Sequence, residues 1–215
     1  MPEIRPAAPA DVPLVARVLE MASRGHLARG AWDLVFPDPG ERTRALTRIA
    51  GGEPSWCHRA LFHVADFAGV PGAALASFDP AVIGGTDLGG VLGGVFGELG
   101  WTDAQRGAAV TRVVPYLRCF PDLPEGTWIV ENVGTLPQAR RRGLVAALLE
   151  HALEIGRARG YVRAQISCLI GNEPAWKAYE AVGFEVVEER KDPEFETLFG
   201  SPGYVRMVAP LGGTR

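Results

Sequence analysis

Three arginines and a glycine stand in a row, Arg140-Arg141-Arg142-Gly143, directly ahead of a stretch whose apolar residues recur every three or four positions. A helix that begins there presents unpaired backbone N–H groups and a partial positive charge at its first turn. Such a terminus binds anions, phosphate above all. Gly143 removes the Cβ that would hold the backbone away from a phosphate. The guanidinium groups add charge and donors. The chemistry on offer is therefore the holding of a phosphorylated ligand. On the loop alone, the same four residues read equally as a solvated basic turn before a surface helix. No GxxxxGK[ST] run is present, so a P-loop nucleotide site has no support. The glycine pairs at 84–97 do not form GxGxxG between a strand and a helix, which leaves little for a Rossmann site.

The elements that must position this loop follow from the pattern on either side of it. Thr127 to Val133 reads as a strand, and Arg142 to Arg159 as an amphipathic helix with Leu144, Leu148, Ala152 and Ile155 on one face, ended by Gly160. A strand over Val162 to Ile170, a short helix over Pro174 to Val182, and strands over Phe184 to Val187 and Tyr204 to Val208 come next. Upstream, Glu3 to Arg5 reads as a strand, Asp11 as the cap of a helix carrying Val15, Val18 and Leu19, and Glu41 to Ala50 as a second helix. Arg59 to Phe67 and Ala73 to Phe78 form a hairpin about Gly69-Val70-Pro71-Gly72. Thr102 caps a helix from Asp103 that Pro115 should kink or end. The order predicts an α/β fold, a mixed central sheet flanked by helices.

Two blocks of this pattern together resemble the GNAT superfamily of acetyl-CoA-dependent N-acetyltransferases. Arg140, Gly143 and Val145 occupy the three positions of its [R/Q]xxGx[G/A] motif, with Val145 departing from the usual small residue, and Thr135-Leu136-Pro137 resembles the run before it. Downstream, Asn172, Ala175, Tyr179, Gly183 and Phe184 match N-x-x-A-x-x-x-Y-x-x-x-G-F. The match is firm over about 127–187, is carried by element order alone over 1–80, and leaves about 81–126 as an insertion near the acceptor site of a single domain, 1–215. The resemblance implies acetyl-CoA as co-substrate. Backbone groups of Val133, Gly134 and Thr135 would hold its pantetheine arm. Arg140, Arg141, Arg142, Gly143, Leu144 and Val145 would hold its pyrophosphate, and Asn172 would lie alongside. Tyr179 would face the sulfur as general acid, and attack by the amine would be direct. Glu131 is the candidate base. Strand alternation puts it on one face with Val133 and Thr135, and a Glu on this strand serves as base in some members; the other reading is a carboxylate satisfied by a nearby Arg.

The remaining composition narrows the partners. A formal charge of −3 over 215 residues gives no basic excess for nucleic acid or an anionic membrane. No leader or spanning stretch is legible, so a cytoplasmic location is expected. Cys57, Cys119 and Cys168 are widely spaced, and His26, His58, His63 and His151 show no ligand spacing. No metal is expected, and Cys168 reads as a buried thiol. Asp192, Glu194 and Glu196 read either as an attractor for a cationic amine or as a solvated loop. The Gly-rich run at 84–97 reads as a lid or as close-packed backbone. The expected acceptor is a primary amine on a small molecule. A protein or peptide amine, or a non-catalytic acyl-CoA sensor, are the alternatives, and a homodimer is possible.

Overall fold

The computed structural model describes residues 2–83 and 88–212. Seven strands form one sheet: β1 (Glu3–Pro6), β2 (Phe62–Phe67), β3 (Val70–Phe78), β4 (Trp128–Thr135), β5 (Arg163–Leu169), β6 (Glu185–Lys191) and β7 (Gly203–Pro210). Their order across the sheet is β1-β2-β3-β4-β5-β7-β6. All neighbours are antiparallel except β4 and β5, which run parallel and pair only from Trp128↔Ala164 to Val130↔Ile166. Beyond that rung the two strands have no ladder between them, so a cleft opens in the middle of the sheet.

Alternating side chains feed two cores, one on each face. On one face, Val64, Ala74, Ala76 and Ile129 pack under α1 (Val12–Arg24) and α3 (Pro39–Gly51), with α2 (Ala31–Val35) alongside. On the other, Leu75, Trp128, Val130 and Ile166 lie under α7 (Leu144–Ala158) and α8 (Glu173–Glu180). The insertion supplies α4 (Pro80–Ile83), α5 (Leu88–Glu98) and α6 (Asp103–Cys119), all before β4, and α9 (Pro193–Phe199) joins β6 to β7. No helix among the described residues is long and apolar enough to cross a membrane.

Several elements differ from their sequence-based reading. The Gly-rich run is helical from Leu88 onward; the part at 84–87 lies outside the described residues. Glycine disfavours such a helix by roughly 1 kcal/mol at each position. Packing overrides that cost: Val95 and Phe96 are buried, and the Phe96 ring stacks on Trp101 at 4.9 Å. Pro115 neither ends nor breaks α6, which continues to Cys119. The turn beyond it is held from outside, by Arg112 Nε donating to the Leu34 carbonyl (2.7 Å) and by Tyr116 packing on Phe120 and Tyr204. The hairpin turns at Ala68-Gly69, and β3 has already begun at Val70. Asp11 does not cap α1; its carboxylate takes the Arg5 guanidinium and the Ala8 N–H (2.7 Å). The acidic run is no loop. Asp192 caps α9 by accepting from the Glu194 and Phe195 N–H groups, and Arg118 pairs with both Asp192 and Glu194.

Candidate active site

The cleft between β4 and β5 gathers most of the residues singled out in the sequence. Where β4 leaves its partner, its own ladder with β3 slips by one residue between Ala74 and Ala76, and Asn132 takes a left-handed φ of 53°. A bulge of this kind adds a residue and reverses the facing of everything after it. Glu131 follows Ile129 toward the α1 face. Val133 instead packs with the α7-side core, and a Cβ on Gly134 would stand 3.1 Å from Val18 of α1. The expectation that Glu131 shares a face with Val133 and Thr135 is therefore corrected: the bulge places them on opposite faces. The same distortion leaves polar atoms of the strand unpaired. Asn132 Nδ2 and Thr135 Oγ1 are buried without a hydrogen-bond partner. Buried unpartnered groups are costly unless something else supplies the bond.

Beyond Thr135 the chain turns through Pro137–Ala139 into the arginine loop. Gly72 allows this turn to seat on β3: its carbonyl accepts from the Leu136 N–H (2.8 Å), and a Cβ there would strike Ala139 at 2.7 Å. Arg141 (φ 60°) and Gly143 (φ 73°) are both left-handed, which curls successive N–H groups to one side. The helix α7 begins at Leu144, two residues later than its periodicity suggested, and Gly143 offers no side-chain cap. The opening N–H groups of α7 are left for an external acceptor. Arg140, Arg141 and Arg142 are exposed, and none forms an ion pair among the described residues; Arg142 lies over the Phe67 ring at 4.7 Å. Val145 leans partly on the α7-side core. An uncapped helix start, a curled cationic loop and unpaired polar atoms on the strand before it fit the pyrophosphate and amide-bearing arm of a coenzyme A thioester.

Glu131 is 9% exposed. Burial raises its carboxyl to about 7, only partly offset by the Ser167 hydroxyl, which donates at 3.2 Å, and by the Asn132 N–H. No arginine among the described residues pairs with it, which sets aside the ion-paired reading. Ser167 lies one rung past the last β4–β5 pair, directly across the cleft mouth. Tyr179, on α8, is 6% exposed and belongs to the α7-side core, its ring edge-on to Phe184. Burial, with Cys168, Glu131 and Tyr204 nearby, pushes its phenol well above the usual value, so it stays protonated at neutral pH. Asn172 opens α8 without capping it, its amide against Gly25 at the end of α1. Cys168 is buried and its thiol is raised to about 12 by burial, which makes it inert.

The structure adds residues that the sequence reading passed over. Ser167 is one polar position in an alternating strand, and only the strand register reveals what it faces. Tyr116, from the insertion, reaches the surroundings of Glu131; burial first, then Tyr204 and Glu131, raise its phenol. Tyr116, Phe120, Phe195 and Tyr204 form an aromatic wall on this side of the sheet. No group of three or more metal-ligating side chains occurs among the described residues.

Residues 95–184 match the acetyltransferase (GNAT) family model, which takes in both sequence blocks and part of the insertion. Comparison with curated proteins finds no match. Among solved structures, an acetyltransferase superposes with a TM-score of 0.69 at 19% identity, over 98% of this chain and 100% of that one. A ribosomal-protein-S18-alanine N-acetyltransferase from Escherichia coli gives 0.54 at 15% identity over 100% and 97% of the two chains. A mutant agmatine N-acetyltransferase in its apo form gives 0.52 at 16% identity over 97% and 99%. At these identities the likeness establishes the fold, a mixed α/β sheet of GNAT type.

Proposed function

We propose, from the premise that this chain belongs to the GNAT acetyltransferase superfamily, that it moves an acetyl group from acetyl-CoA to a primary amine of a small molecule. The observation that carries the reading is Glu131: a buried carboxyl, raised to about 7, with no ion pair among the described residues, at the mouth of the cleft. A carboxylate with that affinity for protons suits a general base near neutral pH. An alkylamine with a pKa near 10.4 is almost wholly protonated at pH 7, so a base is needed.

In this reading the two faces of the sheet divide the work. Val133, Gly134 and Thr135 hold the pantetheine arm, with Asn172 alongside. Arg140, Arg141, Arg142 and the N–H groups of Gly143, Leu144 and Val145 hold the pyrophosphate. The cofactor, when bound, supplies an activated acyl carbon and a thiolate leaving group. Glu131 takes the proton from the ammonium on the α1 face. The neutral amine would then form the new C–N bond as the C–S bond breaks, Tyr179 would give its proton to the departing sulfur from the α7 face, and the extra proton left on the amide nitrogen would return to the Tyr179 oxygen, leaving the phenol neutral again. A backbone N–H of the splayed strand beyond the bulge would polarise the carbonyl.

The aromatic wall contributed by Tyr116, Phe120 and Tyr204 favours a small acceptor over a protein chain, because it occupies the approach to Glu131. The fold by itself does not choose: one superposed structure acts on a ribosomal protein and another on agmatine. The same reading includes cytoplasmic residence and a homodimer, the latter checked by sedimentation velocity.

The experiment is calorimetry with acetyl-CoA on the intact protein and on an Arg140→Ala/Gly143→Trp double variant, followed by CoA release across small amines and peptides. The expected result is binding that the double variant loses, with turnover on a small amine. No binding by the intact protein would overturn the reading. Binding without CoA release on any amine would turn it into a sensor.

A further inference from the structure

A cavity of about 270 Å³ lies on the α7 face, away from the cleft, lined in part by Leu61, His63, Ser77, Asp79, Trp128 and Arg159. It sits under the far end of α7. The first α7 residue that lines it, Ile155, lies 11 residues after the helix start at Leu144, so about 16 Å separates the cavity from the arginine loop. None of the residues placed in the acetyl-transfer machinery borders it.

Its walls carry three kinds of group that do not satisfy one another. His63 Nδ1 and Ser77 Oγ are buried with no hydrogen-bond partner, an arrangement that native interiors rarely keep without a guest or an ordered water. His63 faces His151 of α7 at 4.8 Å, and burial, with His151 and Arg159 adding to it, lowers its imidazole to about 4. The ring is therefore neutral at physiological pH and holds one donor and one acceptor. Two opposite charges also line it, the buried Asp79 and the exposed Arg159. Asp79 accepts from the Ala81 N–H (2.9 Å) and the Tyr161 hydroxyl (2.7 Å), which fixes its carboxylate in place with lone pairs to spare. Arg159 lies over the Trp128 ring at 5.1 Å and forms no ion pair among the described residues. Between the charges the wall is apolar, from Leu61, Phe78, Trp128 and Ile155.

We propose that this cavity binds a small zwitterion with an apolar side chain, an amino-acid-like molecule, as a second ligand site distinct from the acetyl-transfer cleft. Arg159 takes the carboxylate. Asp79 takes the ammonium together with the acceptor atoms of His63 and Ser77, and the apolar wall receives the side chain. A hydrophobic carboxylate lacking the amine would leave Asp79 facing an anion, and an amine lacking the carboxylate would leave Arg159 unpaired. The two charges thus select for both ends of the ligand at once.

The test uses the full-length protein with labelled histidines, following the His63 and His151 imidazole signals by NMR. L-leucine, 4-methylpentanoate and 3-methylbutylamine serve as probes, and acetyl-CoA affinity is measured in parallel. L-leucine is expected to shift both imidazoles saturably in the millimolar range, and each one-charge analogue to bind at least about tenfold more weakly. Arg159→Gln should weaken L-leucine about tenfold. Ile155→Trp, which fills the cavity, should abolish the response with acetyl-CoA affinity unchanged. Should Ile155→Trp fail to fold, the exposed Arg159→Gln carries the comparison. No saturable shift with L-leucine would mean that water alone fills the cavity, and the proposal falls. It falls equally if either one-charge analogue binds as well as leucine, or if Arg159→Gln leaves its affinity untouched.

Discussion

Among the places where this molecule draws carboxylates wholly or partly out of water, two treat them in opposite ways. At the junction of α1, α2 and α3, Glu20 and Asp33 share two arginines. Arg24 bonds Asp33 through two nitrogens (2.8 and 2.6 Å), and Arg42 bonds Glu20 (2.9 Å) and the Phe36 carbonyl (2.8 Å). Burial alone would raise both acids, but these partners hold both below their usual range. At the cleft, Glu131 is buried with one serine hydroxyl and one backbone N–H, and burial wins. The group is the same and the supply of cations differs. The first cluster staples three helices together wherever its carboxylates are ionised, and that contribution is lost as pH falls below their lowered range. The second keeps a carboxyl poised between its two states, which costs stability and suits proton transfer.

Removing the charge from the poised carboxyl gives the largest contrast. Glu131→Gln should lower turnover about a thousandfold if Glu131 is the base. Its effect on stability should have the other sign. The Glu131 carboxyl is raised from its ordinary 4.5 to about 7 in the fold, so the folded state binds the proton more tightly. Stability then falls as pH rises through that window and stays low above it. Glutamine escapes the penalty, and at pH 8 the variant should be about 3 kcal/mol more stable than the parent, with little difference at pH 4. Urea unfolding at the two pH values reads this directly. Equal stability at both would mean that the carboxyl is not raised.

The stapling cluster should respond the other way round. Arg42→Met strips a cation from Glu20 and Asp33 and should cost about 3 kcal/mol at pH 7, with kcat per folded molecule unchanged. A loss smaller than 1 kcal/mol would remove the contrast between the regions.

Smaller again is Tyr179→Phe, which keeps the ring in its core position and deletes only the hydroxyl. A turnover loss of about a hundredfold at unchanged acetyl-CoA affinity is expected. Unchanged turnover would take the acid role away from Tyr179.

How much of this was legible in the sequence depended on distance along the chain. The arginine loop and the Asn172 to Phe184 block are local: periodicity placed the helix start and its glycine, and the resemblance to the family motif marked the tyrosine. The α/β class and its mixed sheet followed from the alternation of elements; the order of the strands across the sheet did not. What escaped were effects of register and tertiary packing. A one-residue bulge at Asn132 turned Glu131 away from Val133, and no pattern in β4 announces it. Pro115 read as a helix breaker and the glycines of α5 as a lid or close-packed backbone, yet Arg112, Tyr116 and Phe96 hold those helices by packing and hydrogen bonding. The partner of Glu131, Ser167, is 36 residues away and becomes a neighbour only through a parallel ladder.

That distant serine gives the finest test of the comparison. Its hydroxyl lowers the Glu131 carboxyl against burial, doing weakly what Arg24 and Arg42 do strongly at the other cluster. Ser167→Ala should therefore move the acid limb of the kcat/KM profile upward from about 7, by roughly one unit if the hydrogen bond is worth about 1.4 kcal/mol. At pH 7 the rate should drop several-fold, and at pH 9 it should return to the parent value, because deprotonation is then complete in both proteins. The titration of the amine substrate is common to both and cancels in the ratio. Ser167→Thr, which restores a hydroxyl, should restore the limb. A variant slow at every pH would show that Ser167 shapes the cleft without tuning Glu131, and a profile that did not move would show that burial alone sets the poise of the carboxyl.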